Sequence, residues 1–443
     1  MQSSPTPVQG SLFTTPELSP AAPPDASAAK PRALSRVIRE HHLALAGALV
    51  ILVAGFALRL LPCFGVPDRP TLDEHLYITN VSMLKSVGLL EYSALVQEYV
   101  SAQSRIDIVI LPPTRCVFIM LGWAWDALFH SGPQMALRHV SSIFSCLSLL
   151  LSGLFAYRLG GVRPALITSA LMAVAPVELM MAHRELVDGV FAFWAQLALW
   201  LLWENLQKPG RLGWLAAYAG SIALMVLTKE NAFFAAVGLG GILSIAALCP
   251  GLNLGRTHWT TFAATFTGGL MGVAVLVSIT GGPRELIHTY TLLVSKAEKM
   301  DFAYETGGGP WFRYVIDLML ISPAVILPAI GGMFALRREN RQGIFLLVFI
   351  LFSCAVMVNV RNGMNVRYAT MWDMPLRYLA AGPLLTLAGA LRRWPALGAM
   401  AVLAAVAGVE LHQYFLIFVQ HDLGEPVTQY LMYSLEIIRS LPH

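Results

Sequence analysis

Thr71-Leu72-Asp73-Glu74-His75-Leu76-Tyr77 sets two adjacent carboxylates between a long apolar segment and an amphipathic run. Two carboxylates at one edge of a membrane are a means of taking a proton from an attacking hydroxyl or amine. The other ionisable groups of that kind stand where apolar segments end: Arg184 and Asp188, Lys229, and Arg367 beside Tyr368. An ionisable group at membrane depth costs roughly 2.5–3.5 kcal/mol on insertion scales, so such positions are functional candidates by default. Together the set suits displacement chemistry on an anionic lipid-linked donor. A carboxylate takes the acceptor's proton, cations stabilise a departing phosphate, and aromatic rings stack on a sugar.

These residues need elements to hold them. Thr71 followed by Glu74 reads as a capping box, which starts a helix with its positive dipole end beside Asp73. Such a dipole lowers the basicity of Asp73, so its task is orientation as much as proton removal. Tyr77, Val81 and Leu84, with Leu76, Met83 and Val87, recur at helical spacing and predict an amphipathic helix lying on the bilayer. Capping accounts well for Glu74 and only partly for Asp73.

Composition sets the class. The 443 residues are 56% apolar and 13% charged, with a mean hydropathy of +0.63; a soluble domain carries roughly twice that charge. The expectation is an all-α polytopic integral membrane protein in one membrane domain. Its net charge of +4 comes from scattered Lys and Arg, the mark of membrane orientation rather than of a nucleic-acid surface. No stretch reads as a Rossmann unit or P-loop, and no internal repeat is evident. Cys63, Cys116, Cys146, Cys249 and Cys354 lack metal-ligand spacing and read as packing residues, a Cys63–Cys116 bridge across the first external loop being the alternative.

Residues 1–41, rich in Pro, Ser, Ala and Thr, predict a disordered cytoplasmic tail. The late basic residues Lys30, Arg32, Arg36 and Arg39 keep that end inside, so the first span, about 43–63, delivers Asp73 outside. Later basic residues at Arg158 and Arg163, Lys208 and Arg211, Arg256, Arg337, Arg338 and Arg341, and Arg392 and Arg393 are each separated by two apolar segments, as in helical hairpins with basic loops inside. The exception is early: segments at about 112–130 and 138–158 lie where parity permits one crossing. The expectation is that 112–130, with Pro112, Pro113 and Asp126, does not fully cross. The count is then about 11 transmembrane helices in a domain at 42–420, with external loop 64–137 and a short external C-terminal segment at 421–443.

On this topology the first external loop holds Asp73, Glu74, Tyr77, Arg105 and Arg115; the second His183, Arg184, Glu185 and Asp188; the third Lys229, Glu230 and Asn231. A fourth carries Lys296, Lys299, Asp301 and Glu305, then Gly307-Gly308-Gly309; the fifth holds Arg361, Arg367, Tyr368, Trp372 and Asp373.

The ordered set of Asp73, Glu74 and Tyr77, Pro112-Pro113, Arg184 with Asp188, and Leu227-Thr228-Lys229 resembles the GT-C glycosyltransferases. The likeness is greatest to the protein mannosyltransferase and aminoarabinose transferase group (glycosyltransferase family 39-like). It covers most of residues 43–250, with a looser likeness from Asn365-Val366-Arg367-Tyr368 to Pro375. The resemblance implies an enzyme that passes a sugar from a polyprenyl phosphate at the outer, periplasmic face of a bacterial inner membrane to a lipid, glycan or protein acceptor. By that likeness Asp73 is the catalytic carboxylate, Asp188 the second acidic position and Lys229 the lysine at the lipid phosphate, with Arg184 and Arg367 as helpers and Glu74 and Tyr77 at the substrate. Many relatives carry Lys immediately before the prolines, where this chain has Leu111; that phosphate role passes to Arg105, to Arg115 or to no residue.

Blander readings stand beside these. Asp188 could cap the next span, and Lys229 and Glu230 could pair with each other at the interface. Trp311, Trp372 and Tyr368 fit an aromatic belt, and the glycine run fits a plain loop. His75, His183 and His288 could join carboxylates around a divalent metal, although no fixed ligand spacing supports it. The rival functions are a transporter or flippase of polyprenyl lipids, which would place its polar groups near the midplane, and a non-catalytic membrane subunit.

Overall fold

The computed structural model describes residues 26–107, 110–297, 308–360, 364–389 and 395–423. Lys299, Asp301, Glu305, Gly307, Arg361, Arg392, Arg393 and the segment from 424 on lie outside the described residues, as do residues 1–25 of the expected tail. Helix α1, Ala26–Leu60, begins within that tail, since the Ala-rich sequence before His42 continues the helix of the apolar segment. The chain forms two compact units, Met1–Ala46 and Gly47–His443.

Helices α2 (Leu72–Val87), α3 (Tyr92–Arg105) and α4 (Cys116–Phe129) fill the first loop region. Then come α5 (Pro133–Gly160), α6 (Val162–Ala173), α7 (Pro176–Ala182), α8 (Asp188–Gln207), α9 (Leu212–Thr228), α10 (Ala232–Leu248), α11 (Trp259–Ile279) and α12 (Pro283–Ala297). The last part holds α13 (Arg313–Ile321), α14 (Pro323–Phe334), α15 (Arg341–Met357), a 3₁₀ segment Val366–Trp372, α16 (Asp373–Ala388) and α17 (Pro395–Tyr414). Among the described residues there is no strand.

Four helical stretches among the described residues are long and apolar enough to cross a membrane: His42–Leu60, α5, α11 and Ala396–Gln420. A fifth arises if α6 and α7, bent by 57° at their junction, act as one span. Length and composition thus single out fewer spans than charge parity predicts, because α4, α9, α10, α14 and α15 are apolar but short. The bend follows from Pro176 at the first position of α7, which holds Ala175 extended. Arg59 takes up two carbonyls at the break, donating to Met172 O at 2.8 Å and Ala173 O at 2.9 Å, so these acceptors keep partners in an apolar setting.

The segment 112–130 contains α4, one of the shorter apolar helices. Helix α4 has 14 residues and so is about 21 Å long against roughly 30 Å of hydrocarbon. It packs on α2 and α5, with Lys85 of α2 bonded to Asp126 at 2.7 Å.

One local expectation is overturned. The α2 stripe of Tyr77, Val81 and Leu84 is buried in protein, with Tyr77 edge-on to Phe118 of α4 at 5.2 Å. An apolar stripe prefers any dry surface, and α4 and α5 supply one before lipid does.

Candidate functional site

Asp73 lies on the first turn of α2, where Glu74 closes the cap by accepting from Thr71 N–H at 2.6 Å. Glu74 is fully buried and also accepts from Glu185 N–H at 3.1 Å and from Arg184 at 3.4 Å. Arg184 further donates to Arg69 O at 2.8 Å and pairs with Asp422. Glu74 and Arg184, expected at the substrate, therefore join the second loop to the start of α2. Burial raises the Glu185 carboxyl to about 7, helped by neighbouring Glu74 and opposed by Arg138, its partner at 2.6 Å.

Asp73 remains one-third exposed. Its Oδ2 accepts from Arg367 at 3.2 Å, across 294 positions of sequence. The same guanidinium reaches Asp188 Oδ2 at 3.9 Å. Asp188 is the first residue of α8, after the N-cap Val187; its other oxygen accepts from Lys229 Nζ. Both members of that pair are 2% exposed. Lys229 follows α9 directly, in extended backbone, and its ammonium stands over the Tyr368 ring at 4.2 Å. Burial lowers the Lys229 pKa to about 8, with Arg115 and Arg367 lowering it further and Asp188 opposing them.

The neighbours Lys229 and Glu230 diverge instead of pairing with each other. Glu230 is bound by Arg115 through Nε at 3.1 and 3.2 Å and through the second guanidinium nitrogen at 3.0 Å. Burial raises the Glu230 carboxyl, but Arg115 outweighs it and holds the group below its ordinary range. Arg115 also donates to the Tyr77 hydroxyl, one helical turn beyond Asp73. Three carboxylates and three cations thus interlock: Asp73, Asp188 and Glu230 with Arg115, Lys229 and Arg367. The balance removes the cost of an unpaired buried charge and leaves three cations beside an accessible carboxylate.

Of the two arginines offered for the phosphate role, Arg115 is buried in the cluster, whereas Arg105 is exposed. Trp372 is a core residue that donates to Ser353 Oγ at 2.8 Å rather than a belt residue. Gly308 O accepts from Arg313 at 2.6 Å, which folds the described end of the glycine run onto α13. Cys63 and Cys116 are both free thiols. His183 is bonded to Leu58 O at 2.8 Å and burial lowers its pKa, while His75 and His288 are exposed. No three His, Cys, Asp or Glu side chains converge as a metal site among the described residues.

Residues 120–277 match the family model for dolichyl-phosphate-mannose-protein mannosyltransferase, a stretch that includes Asp188 and Lys229. No curated protein matches the chain in sequence. Among solved structures, ArnT from Cupriavidus metallidurans in the apo state is similar with a TM-score of 0.52 at 17% identity, over 86% of this chain and 76% of that one. AglB from Archaeoglobus fulgidus, an oligosaccharyltransferase in complex with an inhibitory peptide and a dolichol-phosphate, is similar with a TM-score of 0.54 at 14% identity, over 85% of this chain and 55% of that one. The chain shares the fold of these two proteins. Asp73, Tyr77, Asp188, Lys229 and Arg367 converge, and Glu74 and Arg184 serve the neighbouring clamp. Arg115, one of the arginines the sequence offered for the phosphate role, completes the cluster with Glu230 and Tyr368.

Proposed function

We propose that the chain is an integral-membrane glycosyltransferase that takes a sugar from a polyprenyl-phosphate donor at the outer, periplasmic face of the membrane. The acceptor is a lipid, glycan or protein, and the membrane domain makes about eleven crossings. The observation that carries the reading is the bridge from Asp73 through Arg367 and Asp188 to Lys229, which sets an accessible carboxylate against buried cations.

The reaction follows from those positions. The acceptor's hydroxyl or amine attacks the anomeric carbon of the sugar, and the bond from that carbon to the phosphate oxygen breaks. The electron pair leaves with the lipid phosphate, whose negative charge Lys229, Arg115 and Arg367 stabilise. The acceptor's proton passes to Asp73. Arg367 keeps Asp73 oriented, and Asp188 fixes both Arg367 and Lys229. The dolichol-phosphate held by the AglB relative and the dolichyl-phosphate-mannose in the name of the matching family support a lipid-phosphate donor.

Asp73→Asn tests the assignment in purified protein, with transfer from a labelled polyprenyl-phosphate sugar as the measurement. Transfer is expected to fall by about 10²–10⁴ with donor binding retained. Full activity in the variant, or movement of the lipid across vesicles without any sugar transfer, sinks the reading.

A further inference from the structure

Two buried acids hold the start of α2 against the loop between α7 and α8. Glu74, next to Asp73 in sequence, and Glu185, three residues before Asp188, are both fully buried. Glu74 Oε1 accepts from the Glu185 N–H at 3.1 Å, and the two carboxyl groups lie within hydrogen-bonding reach of each other. The charged groups around them are Arg138 of α5, Asp68 before α2, Arg184 in the same loop and Asp422 after α17. Arg69 is exposed and contributes its carbonyl to Arg184. His183 adds no cation, because burial lowers its pKa and its ring is turned to Leu58 O. Among the described residues, four acids thus face two guanidiniums.

The hydrogen bonds decide which acid carries a proton. Glu74 accepts from Thr71 N–H, Glu185 N–H and Arg184, three donors that favour its anion. Glu185 has Arg138 on Oε1 at 2.6 Å, but it shares that guanidinium with Asp68 at 2.7 Å. Arg138 holds Asp68 below the ordinary carboxylate range, so part of its charge is already spent there. Glu185 Oε2 is buried and receives no donor. Two carboxylates side by side in a dry place do not both ionise. A proton on Oε2 removes the repulsion and gives that oxygen a bond to donate.

We propose that Glu185 is a positioning residue for the transfer reaction, held in its acid form and donating to the Glu74 carboxylate, so that one proton ties the helix bearing Asp73 to the loop leading to Asp188. The inference rests on the glycosyltransferase reading for its effect on turnover, and on the contacts alone for the bridge. Burial places the Glu185 carboxyl at about 7, opposed by Arg138 and helped by Glu74. The folded chain therefore keeps a proton that an unfolded glutamic acid releases at about 4.3. The bridge's contribution to stability is full below that ordinary value, falls as pH climbs to about 7 and is absent above it. Once both acids are charged they repel, the start of α2 parts from the loop, and Asp73 leaves its place beside Arg367. Loss of charge on Lys229 acts on donor binding, whereas loss of this bridge acts on kcat.

The test is backbone hydrogen exchange of the full chain in lipid nanodiscs, read by mass spectrometry over residues 70–77 and 183–190 and corrected for the intrinsic effect of pH. Protection in both segments is expected to fall by about 10-fold or more between pH 6 and pH 8.5. Glu185→Gln, whose amide donates to Glu74 and whose carbonyl accepts from Arg138, should keep the wild-type acid-side protection at both pH values. Glu185→Ala should lose it at both. In turnover, kcat for transfer should follow the same pattern while the donor KM is unmoved by either substitution. Equal wild-type protection at the two pH values overturns the bridge without recourse to a variant. So does a pH response in Glu185→Gln equal to that of the wild type, or a change confined to donor KM. Flat protection in an active transferase leaves the functional reading standing, whereas pH-dependent protection in a chain that transfers no sugar keeps the bridge and overturns that reading.

Discussion

Two of the buried-charge networks among the described residues are built on opposite principles. At the site, Asp73, Asp188 and Glu230 face Arg115, Lys229 and Arg367, and members such as Asp73 and Glu230 keep accessible surface. The second network joins Arg59, Glu178, Asp373, Arg377 and Glu410, each 4% exposed or less. Arg377 donates to Asp373 at 2.6 Å, to Glu410 at 3.3 Å and to Leu171 O at 3.1 Å. Arg59 donates to Ser145 Oγ at 2.9 Å, and Ser145 in turn bonds to Glu178. Ser322 donates to Glu410. This network ties the bend of α6 and α7 to α5, α14, α16 and α17, and it holds three acids against two guanidiniums. The first set is balanced and reachable, the second sealed and short of cations. Burial of charge by itself does not mark a reaction centre; a reachable member does.

The sharpest break of that comparison is Arg377→Met. It strands Asp373 and Glu410 without their guanidinium, and loss of one partner from a buried pair costs about 3–5 kcal/mol. The expected outcome is little folded protein, seen as a fall in melting temperature and in monodisperse yield. Glu410→Gln should be far milder, because it removes an acid from a network with one too many. A melting temperature for Arg377→Met equal to wild type would remove the structural role of the second network.

The site responds in the other direction. Asp73→Asn should cost more than a hundredfold in transfer with melting temperature held, because Asp73 is one-third exposed and its loss strands no fully buried partner. Lys229→Met should raise donor KM more than it lowers kcat, since the ammonium serves the phosphate.

Lys229 also gives a pH dependence. Its pKa is lowered to about 8, so the charge is present below that value and lost as pH rises through it. Donor affinity should fall across pH 7–9, and the fall should vanish in Lys229→Met. A flat profile in the wild type would show the ammonium to be uninvolved. The smallest expected effect is that of Thr71→Ala, which takes one side chain from the α2 cap at about 1 kcal/mol. Its measure is a lower melting temperature with kcat per folded molecule preserved.

The membrane class and the helix start at Thr71 were legible from local sequence. Apolar composition and a capping pair act on their own neighbourhood, and tertiary contacts do not reverse them. The face taken by the α2 stripe was not legible. Tyr77, Val81 and Leu84 are apolar whether they meet lipid or α4, and periodicity does not name the partner.

The same limit governs the charges. Sequence located Asp73, Asp188, Lys229 and Arg367 as ionisable groups at segment ends, which is a statement about the cost of burying charge. Partner choice was decided only when α2, α8, α9 and the 3₁₀ segment came together. Arg184, four residues before Asp188, turned to Glu74 and Asp422, and Glu230 left its neighbour Lys229 for Arg115 at 3.0 Å. Electrostatic attraction grows as charges are brought together out of water, and which charges share one desolvated place is a property of the packed helices, not of their order along the chain.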